Sequence, residues 1–312
     1  MPSKRILIIT SGSSIRNSLL KWMIQYWRES GHNVELVSDI NTSWNADIAL
    51  LHFDATDVPL TYINFVRKFP IAINGRAKNI SKTFFSNQII KKNSDYYGMV
   101  IVKTVANAGG LPELHAENYP KIRKKFIKFI GRITSSGKLQ NKYIESFLWR
   151  KVRVLDASNY PMYLSPQHVP NGVWHNRRMV VEKYLPEQTD DGRYRLRHWY
   201  FFGDMEFSRT LISSEPIVKW IRMNDGEKHQ SRKEWVGKKS SKDCQIPKAV
   251  REVRKKLGLD YGRIDWALHH GKPVVYDVNK TPFGFGEISV TAEYALKNEV
   301  IREFSQGINY FI

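Results

Sequence analysis

Between Tyr261 and Asn279 apolar and polar residues alternate at the two-residue period of a strand. Ile264, Trp266, Leu268, Val274, Tyr276 and Val278 take the even positions, and Arg263, Asp265, Asp277 and Asn279 lie among the odd ones. One buried face and one chemical face are expected. His270-Gly271-Lys272 reads as a three-residue hairpin loop. A turn centred on Gly271 then sets Asp265 opposite Asp277 and Arg263 opposite Asn279.

Upstream, residues 4–75 alternate strand and helix patterns. Ile6–Ile9, Val34–Val37, Ile48–Leu51 and Ile71–Asn74 predict strands, while Leu19, Trp22, Met23 and Tyr26 recur at helical intervals between Ile15 and Trp27. A small parallel sheet with flanking helices follows. The Ser11-Gly-Ser-Ser14 turn has neither the Walker spacing nor the three-glycine dinucleotide fingerprint, so it receives no phosphate role. A helix is expected from about Ser81 to Lys91, then a short strand, Gly98–Lys103, running into Thr104-Val-Ala-Asn-Ala-Gly-Gly110. Arg178–Glu187 reads as a strand that breaks at Pro186. Leu196–Asp204 and Glu206–Ile212 form a hairpin through Gly203-Asp204. Ile246, Val250, Val253 and Leu257 make a helical stripe, with Pro247 near its start and Gly258 past its end. Ile288–Phe304 closes the chain as a helix.

Directly opposed strand residues have Cβ atoms about 5 Å apart, so two ionised carboxylates at Asp265 and Asp277 repel by roughly 3 kcal/mol at an effective dielectric of 20. A cation between them is expected. Two carboxylates and the Asn279 amide are hard ligands that suit Mg²⁺, and Arg263 offers a fork to a phosphate. The plainer alternative is an ordinary hairpin with a solvated polar face. Lys103, at a strand end before paired glycines, can set an ammonium and several backbone amides on a polyphosphate; a flexible loop with a snorkelling lysine is its plainer reading. The break at Pro186 can offer backbone groups to a purine edge.

A chain of 312 residues with 42% apolar and 12% aromatic residues has room for two or three packed units and is not disordered. It has no run of about 18 apolar residues, and Ile6–Ile9 is too short for a signal-peptide core, so a soluble cytoplasmic protein without a membrane span is expected. The single cysteine, Cys244, excludes an intrachain disulfide framework and a thiolate zinc cage. A formal charge of +19 favours anionic cofactors, acidic substrates or polyanions without choosing among them. Residues 114–160 hold eleven basic residues against Glu117, Glu145 and Asp156. Within them Ile122, Phe126, Phe129 and Ile130 recur at helical spacing, which predicts a basic amphipathic helix. It reads first as a solvated surface helix, then as a dock for an acidic partner, and least as a membrane or nucleic-acid contact.

In this order the blocks resemble the ATP-grasp superfamily, whose members include D-alanine:D-alanine ligase, glutathione synthetase and the enzyme that adds glutamate to ribosomal protein S6. The match spans most of the chain on four short blocks. It implies an α/β (α+β) ATP-grasp fold: an N-terminal α/β domain over 1–78, a small subdomain over 79–184 with a basic insertion at about 114–178, and a large subdomain over 185–312, the last two sandwiching ATP. Lys82 and Lys103 match the two ATP-binding lysines, and Asn107, Gly109 and Gly110 the glycine loop over the phosphates. Glu182, Lys183, Tyr184 and Leu185 match the adenine hinge. Glu187 stands for the ribose acid, with Asp191 as the other candidate, and Arg197 for an arginine near the phosphates. Arg263, Asp265, Asp277 and Asn279 match the final block, in which Asp265, Asp277 and Asn279 hold Mg²⁺ or Mn²⁺. At Asp277 the family usually has glutamate, one methylene longer.

The implied activity is an ATP- and Mg²⁺-dependent ligase that phosphorylates a carboxylate and passes the acyl group to an amine or other nucleophile. An ATP-grasp kinase and a non-catalytic nucleotide- or polyanion-binding module are the alternatives. The positive charge suits a carboxylate-rich peptide or an anionic carrier as substrate. Phe283-Gly-Phe-Gly286 is expected to border the acceptor pocket. Nucleic acid is not favoured as a partner, and a homo-oligomer is allowed.

Overall fold

The computed structural model describes residues 2–12, 15, 18–117, 119–137, 139, 141–236, 245–283 and 291–312, with the backbone alone for 232–236 and 291–297. Ser13, Ser14, Cys244 and residues 284–290, which include most of the expected acceptor border and the start of the expected last helix, lie outside them.

Three sheets follow one another along the chain. The first comprises β1 (Arg5–Thr10), then α1 (Leu20–Glu29), β2 (Asn33–Val37), β3 (Ile48–His52), α2 (Leu60–Val66) and β4 (Ile71–Ile73), with parallel order β2-β1-β3-β4. Parallel strands covered on both faces are continuously apolar, and β1 meets this: Ile6 and Ile8 pack with Met23 and Trp27 of α1, Leu7 and Ile9 with Ile63 and Val66 of α2. The first helix starts at Leu20 rather than near Ile15. Leu19 donates its N–H to the Pro282 carbonyl at 3.1 Å and Ser18 bridges to Phe283, so a distant strand-like segment holds the turn that the periodicity assigned to the helix.

The second unit contains α3 (Lys82–Phe85), β5 (Val100–Thr104), α4 (Leu111–Ala116), α5 (Lys121–Ser135), α6 (Lys142–Trp149), β6 (Met162–Tyr163), α7 (Asn171–Trp174) and β7 (Met179–Lys183), with antiparallel order β6-β5-β7. The helix expected over 81–91 is the single turn α3. Beyond it the chain pairs with β7, Ile90 donating to the Val181 carbonyl at 3.0 Å and Lys183 to that of Gln88 at 2.9 Å. Trp149, Val152, Leu155, Val169 and Val173 pack on Val100, Val102 and Val181; the 114–178 region therefore supplies the sheet's own cover. Of the apolar stripe expected on α5, Ile122, Phe126 and Phe129 face outward, whereas Ile130 packs on the sheet's core. The helix buries Ile127, Gly131 and Thr134 instead, because Gly131 lets it approach the Val154 carbonyl so closely that a Cβ would stand 2.2 Å from that oxygen.

The third sheet is built from β8 (Glu187–Gln188), β9 (Tyr194–Phe202), β10 (Met205–Ser213), β11 (Tyr261–His269) and β12 (Lys272–Asn279), in the order β10-β9-β11-β12 with β8 on β9. The helices α8 (Asp225–Val236), α9 (Lys248–Leu257) and α10 (Thr291–Ser305) complete the fold. Trp199, Phe201, Ile264 and Trp266 pack against Val250 and Leu257 of α9, whereas Tyr200, Phe202 and Tyr261 join the core of the first sheet. The junction is clamped by the buried Asn74. Its N–H and Nδ2 donate to Asp260 Oδ2 at 2.8 Å and to the Tyr261 carbonyl at 2.9 Å, and its Oδ1 accepts from the N–H groups of Asp260 and Tyr261 at 2.9 and 3.0 Å.

The β11–β12 hairpin differs from expectation in its turn. His269 pairs with Lys272, so the loop has two residues, His270 and Gly271, both at positive φ as a type I′ turn requires. The register then shifts by a β-bulge: Trp266 pairs with Val275 and Asp265 with Asp277, leaving Tyr276 as the extra residue. The expected oppositions, Asp265 to Asp277 and Arg263 to Asn279, are present, but Tyr276 leaves the apolar face and Val275 takes its place beside Trp266.

The paired glycines also have a packing role. Gly109 and Gly110 both hold positive φ, and a Cβ on Gly109 would lie 2.0 Å from the Leu155 carbonyl oxygen. Gly109→Ala is thus expected to lower the unfolding free energy by about 3 kcal/mol, seen as a lower urea midpoint in the ligand-free protein; an unchanged midpoint would refute this packing role. His52, buried between Ser18 and Tyr261, is pushed down by burial to about 3. Its neutral form is favoured by folding, so the associated stability is present above pH 6.5 and is lost as pH falls towards 3, up to roughly 4 kcal/mol. His52→Asn should flatten the stability profile over that window, and parallel profiles for the two proteins would contradict the assignment.

Candidate active site

A cleft open to solvent lies between the second and third sheets. Ile101 and Lys103 on β5 and Glu182 and Lys183 on β7 line one wall. Tyr184, Leu185 and Pro186 form the link between sheets, and Leu196 on β9, Tyr276 and Asp277 on β12 and Asp265 on β11 line the other. The segment Pro216–Lys219 and the α3 lysine, Lys82, complete it. Apolar lining comes mainly from Ile101, Leu185, Leu196, Ile217 and Val218; charge comes from the lysines and carboxylates.

The charged groups are ordered by pairing. Lys82, only 1% exposed, reaches Asp277 at 3.3 Å. It can do so because its N–H is fixed to the Val105 carbonyl at the end of β5, which aims α3 across the cleft. Lys103 meets the buried Glu182 at 2.7 Å, and Ser86 donates to the same carboxylate. Arg263 grips Asp265 with two bonds of 2.7 and 2.9 Å, and that carboxylate holds the guanidinium pKa above its ordinary value despite burial. Each opposed carboxylate therefore already has a side-chain cation, and the repulsion foreseen between Asp265 and Asp277 is relieved by Arg263 and Lys82. Arg263 spends part of its expected phosphate fork on Asp265.

A metal set remains geometrically coherent. Among the described residues no cluster of three or more His, Cys, Asp or Glu occurs, so a third ligand beside Asp265 and Asp277 must come from Asn279, opposite Arg263. The Asn279 Nδ2 is buried without a hydrogen-bond partner. Rotating the amide sets its oxygen there, and an oxygen in that place is the donor a hard cation prefers.

Other expected residues lie elsewhere. Arg197 shares the parity of Trp199 and Phe201, away from Leu196 and His198, and stacks on Trp266 at 5.0 Å. It pairs there with Glu187, whose carboxylate also accepts from Arg195 at 3.2 Å and from the Leu268 N–H at 2.7 Å. Burial opposes ionisation of Glu187, but these donors outweigh it and lower its pKa. Neither Arg197 nor Glu187 lines the cleft, because both side chains are committed to each other behind it. Asp191 is tied to Arg193 and Thr189 in the β8–β9 turn. Asn107 donates to the Val278 carbonyl and takes the Thr56 hydroxyl on its N–H, at 2.8 Å, so it ties the glycine loop to β12.

Two cleft residues and a neighbour of Asp265 escaped the sequence. Tyr276 was read into the core because the bulge is invisible to a strict two-residue period. It donates to the Leu185 carbonyl, and Lys103 lies 5.5 Å from its ring. Lys219 follows the apolar pair Ile217-Val218 and carried no motif. Burial lowers its pKa, and Asp277 and Asp265 pull it back up, which places its ammonium in their field. His198, opposite Asp265, is buried and kept neutral by desolvation and by Arg263 and Arg209.

No family profile and no curated protein matches the chain. Among solved structures it is similar to a RimK domain protein ATP-grasp from Sphaerobacter thermophilus DSM 20745, with 10% identity, a TM-score of 0.44, and 96% of this chain and 99% of that one covered. It is similar to D-alanine–D-alanine ligase from Bacillus anthracis at 13% identity and TM-score 0.37, covering 98% of each chain. It is also similar to the macrocyclase MdnC, bound with precursor peptide MdnA, from Microcystis aeruginosa MRC, at 12% identity and TM-score 0.39, covering 96% and 99%.

Proposed function

We propose that the chain is an ATP-grasp enzyme, an ATP- and Mg²⁺-dependent ligase that joins a carboxylate to an amine or other nucleophile through an acyl phosphate. The observation that carries this reading is the cleft's pairing of an apolar slot with Lys82, Lys103 and Lys219 around the opposed Asp265 and Asp277. A flat aromatic base attached to a polyphosphate has these two chemistries in one molecule. Among the described residues the Leu185 N–H makes no hydrogen bond to protein, and it borders the slot where a purine nitrogen would accept it.

In this reading Ile101, Leu185, Leu196 and Ile217 sandwich the base, with Lys183, Tyr184 and the Glu182 backbone at its edge. Lys82, Lys103 and Lys219 neutralise phosphate charge, a role in which preorganised cations in a dry site contribute most of the acceleration. Arg263 holds Asp265 in place from behind the cleft. Asp265, Asp277 and Asn279 fit Mg²⁺ or Mn²⁺, which would supply Lewis-acid stabilisation of phosphate oxygens. The γ-phosphoryl group passes to a substrate carboxylate oxygen and ADP leaves. The nucleophile then attacks the acyl carbon and inorganic phosphate departs.

The acceptor fits a second cleft, of about 470 Å³, lined by Ser81, Thr83, Thr104, Glu113, Arg177 and Arg178 among others. Ser81, Thr83 and Thr104 flank Lys82 and Lys103 in sequence, so one stretch of backbone serves both clefts. The exposed Arg177 and Arg178 suit a carboxylate-rich substrate, such as an acidic peptide or an anionic carrier.

Asp277→Ala would leave Lys82 buried without its partner, at a cost of about 3–5 kcal/mol, so the isosteric Asp277→Asn is the cleaner test. We expect it to cut ADP release in a screen of carboxylic acids and amines by about 10²-fold or more while retaining a cooperative melt, and EDTA to abolish turnover of the unsubstituted protein. Full activity of Asp277→Asn would remove the metal assignment. Mass spectrometry should find a new amide or ester and free phosphate; phosphate retained on the acceptor would make the enzyme a kinase instead.

A further inference from the structure

The helices α5 and α6 leave an apolar and basic surface that the clefts do not use. On α5 the side chains of Ile122, Phe126 and Phe129 are 78%, 59% and 54% exposed, and on α6, which packs against it, Tyr143 and Phe147 are 89% and 60% exposed. Exposed apolar residues are ordinary when scattered, but a run at i, i+4 and i+7 on one helix, continued at i and i+4 on the next, is an interaction surface. Basic residues interleave with it: Lys121, Arg123, Lys125, Lys128 and Arg132 on α5, and Lys142 on α6. Between Lys121 and Lys151 the only carboxylate is the half-buried Glu145.

The charge calls for an anionic partner and opposes a second copy, since self-association of this face would set lysines against lysines. None of these exposed side chains lines a described cleft, so among the described residues the face is not the wall of a groove of the kind that receives an extended or helical peptide. Aromatic and aliphatic side chains rimmed by Lys and Arg on an unwalled helical surface are what an interfacial helix presents to lipid headgroups. We propose that the α5–α6 face docks the protein on an anionic membrane surface, with Phe126, Phe129, Tyr143 and Phe147 entering the headgroup boundary and the lysines and arginines meeting the lipid charge. No helix among the described residues is long and apolar enough to cross a membrane, so the association is peripheral.

The test is co-sedimentation of the full chain with vesicles of phosphatidylcholine alone or mixed with phosphatidylglycerol, at low and high salt. Binding is expected to the anionic vesicles only. It should weaken about tenfold in the double variant Phe126→Ser with Phe129→Ser, and about fivefold per charge for Lys121→Glu and Lys125→Glu. Tyr143→Ser with Phe147→Ser replaces the first pair if that variant does not melt cooperatively. The proposal is overturned by absence of vesicle binding, including binding to an oligoglutamate peptide alone. It is equally overturned by vesicle binding that the serine variants leave unchanged, which would be diffuse adsorption of a basic protein, or by a solution dimer that the same substitutions dissociate.

Discussion

A two-residue turn at His270-Gly271 would, in a regular hairpin, set Asp265 opposite Tyr276 and turn Asp277 towards α9. The bulge inserts one residue into β12 and reverses that parity for Asp277 and Asn279 while leaving Val275 in the core. The cleft depends on this slip. It brings the two carboxylates into opposition, delivers Asp277 to Lys82, and moves Tyr276 from the core to the wall beside Lys103. A bulge bends its strand as well as re-aiming side chains, so the hairpin's far end can remain packed on α9 while its other end serves the cleft.

The ion pairs around the bulge have a common logic. Buried charges are tolerated when matched, since an unmatched one costs several kcal/mol. Lys82 with Asp277 and Lys103 with Glu182 satisfy that condition across different elements, and Arg263 with Asp265 along β11. Lys219 adds a further positive charge. A cleft whose internal pairs are already matched and which still carries an added cation is poised for an anion, and polyphosphate is the anion whose attached base also fills an apolar slot. The same reasoning separates Glu187 and Arg197 from the cleft: matched to each other and sealed by the Leu268 N–H, they stabilise the sheet behind it.

Much of this was legible in the sequence where a short-range pattern decides it. The strands from Arg5 to Ile73, the Gly203-Asp204 hairpin and the opposition of Asp265 with Asp277 follow from periodicity and turn chemistry. The right register nevertheless came from a loop one residue too long, an error that the bulge cancels. Where long-range contacts compete, the pattern misled. Residues 88–90 left the expected helix to pair with β7, and Ser18 and Leu19 left theirs for Phe283 and Pro282. The α5 stripe is split, because the close approach at Gly131 puts Ile127 and Ile130 inward and leaves Ile122, Phe126 and Phe129 in water. Arg197 could have been kept from the cleft by strand parity with Trp199 and Phe201, a signal present in the sequence. Lys219 had none, because it reaches the carboxylates through the tertiary fold alone.

The Asn74 clamp has a mechanical consequence. Four hydrogen bonds join the end of the first sheet to the start of β11, the strand that carries Arg263 and Asp265, and Tyr261 is buried in the shared core. The first and third sheets therefore share one chassis. The second sheet meets this chassis through the Tyr184–Pro186 link, the Lys82–Asp277 pair and the Asn107–Val278 bond, so the cleft's width is set by those three ties. Because α5 and α6 pack on the second sheet, whatever braces their outer face also braces that wall of the cleft.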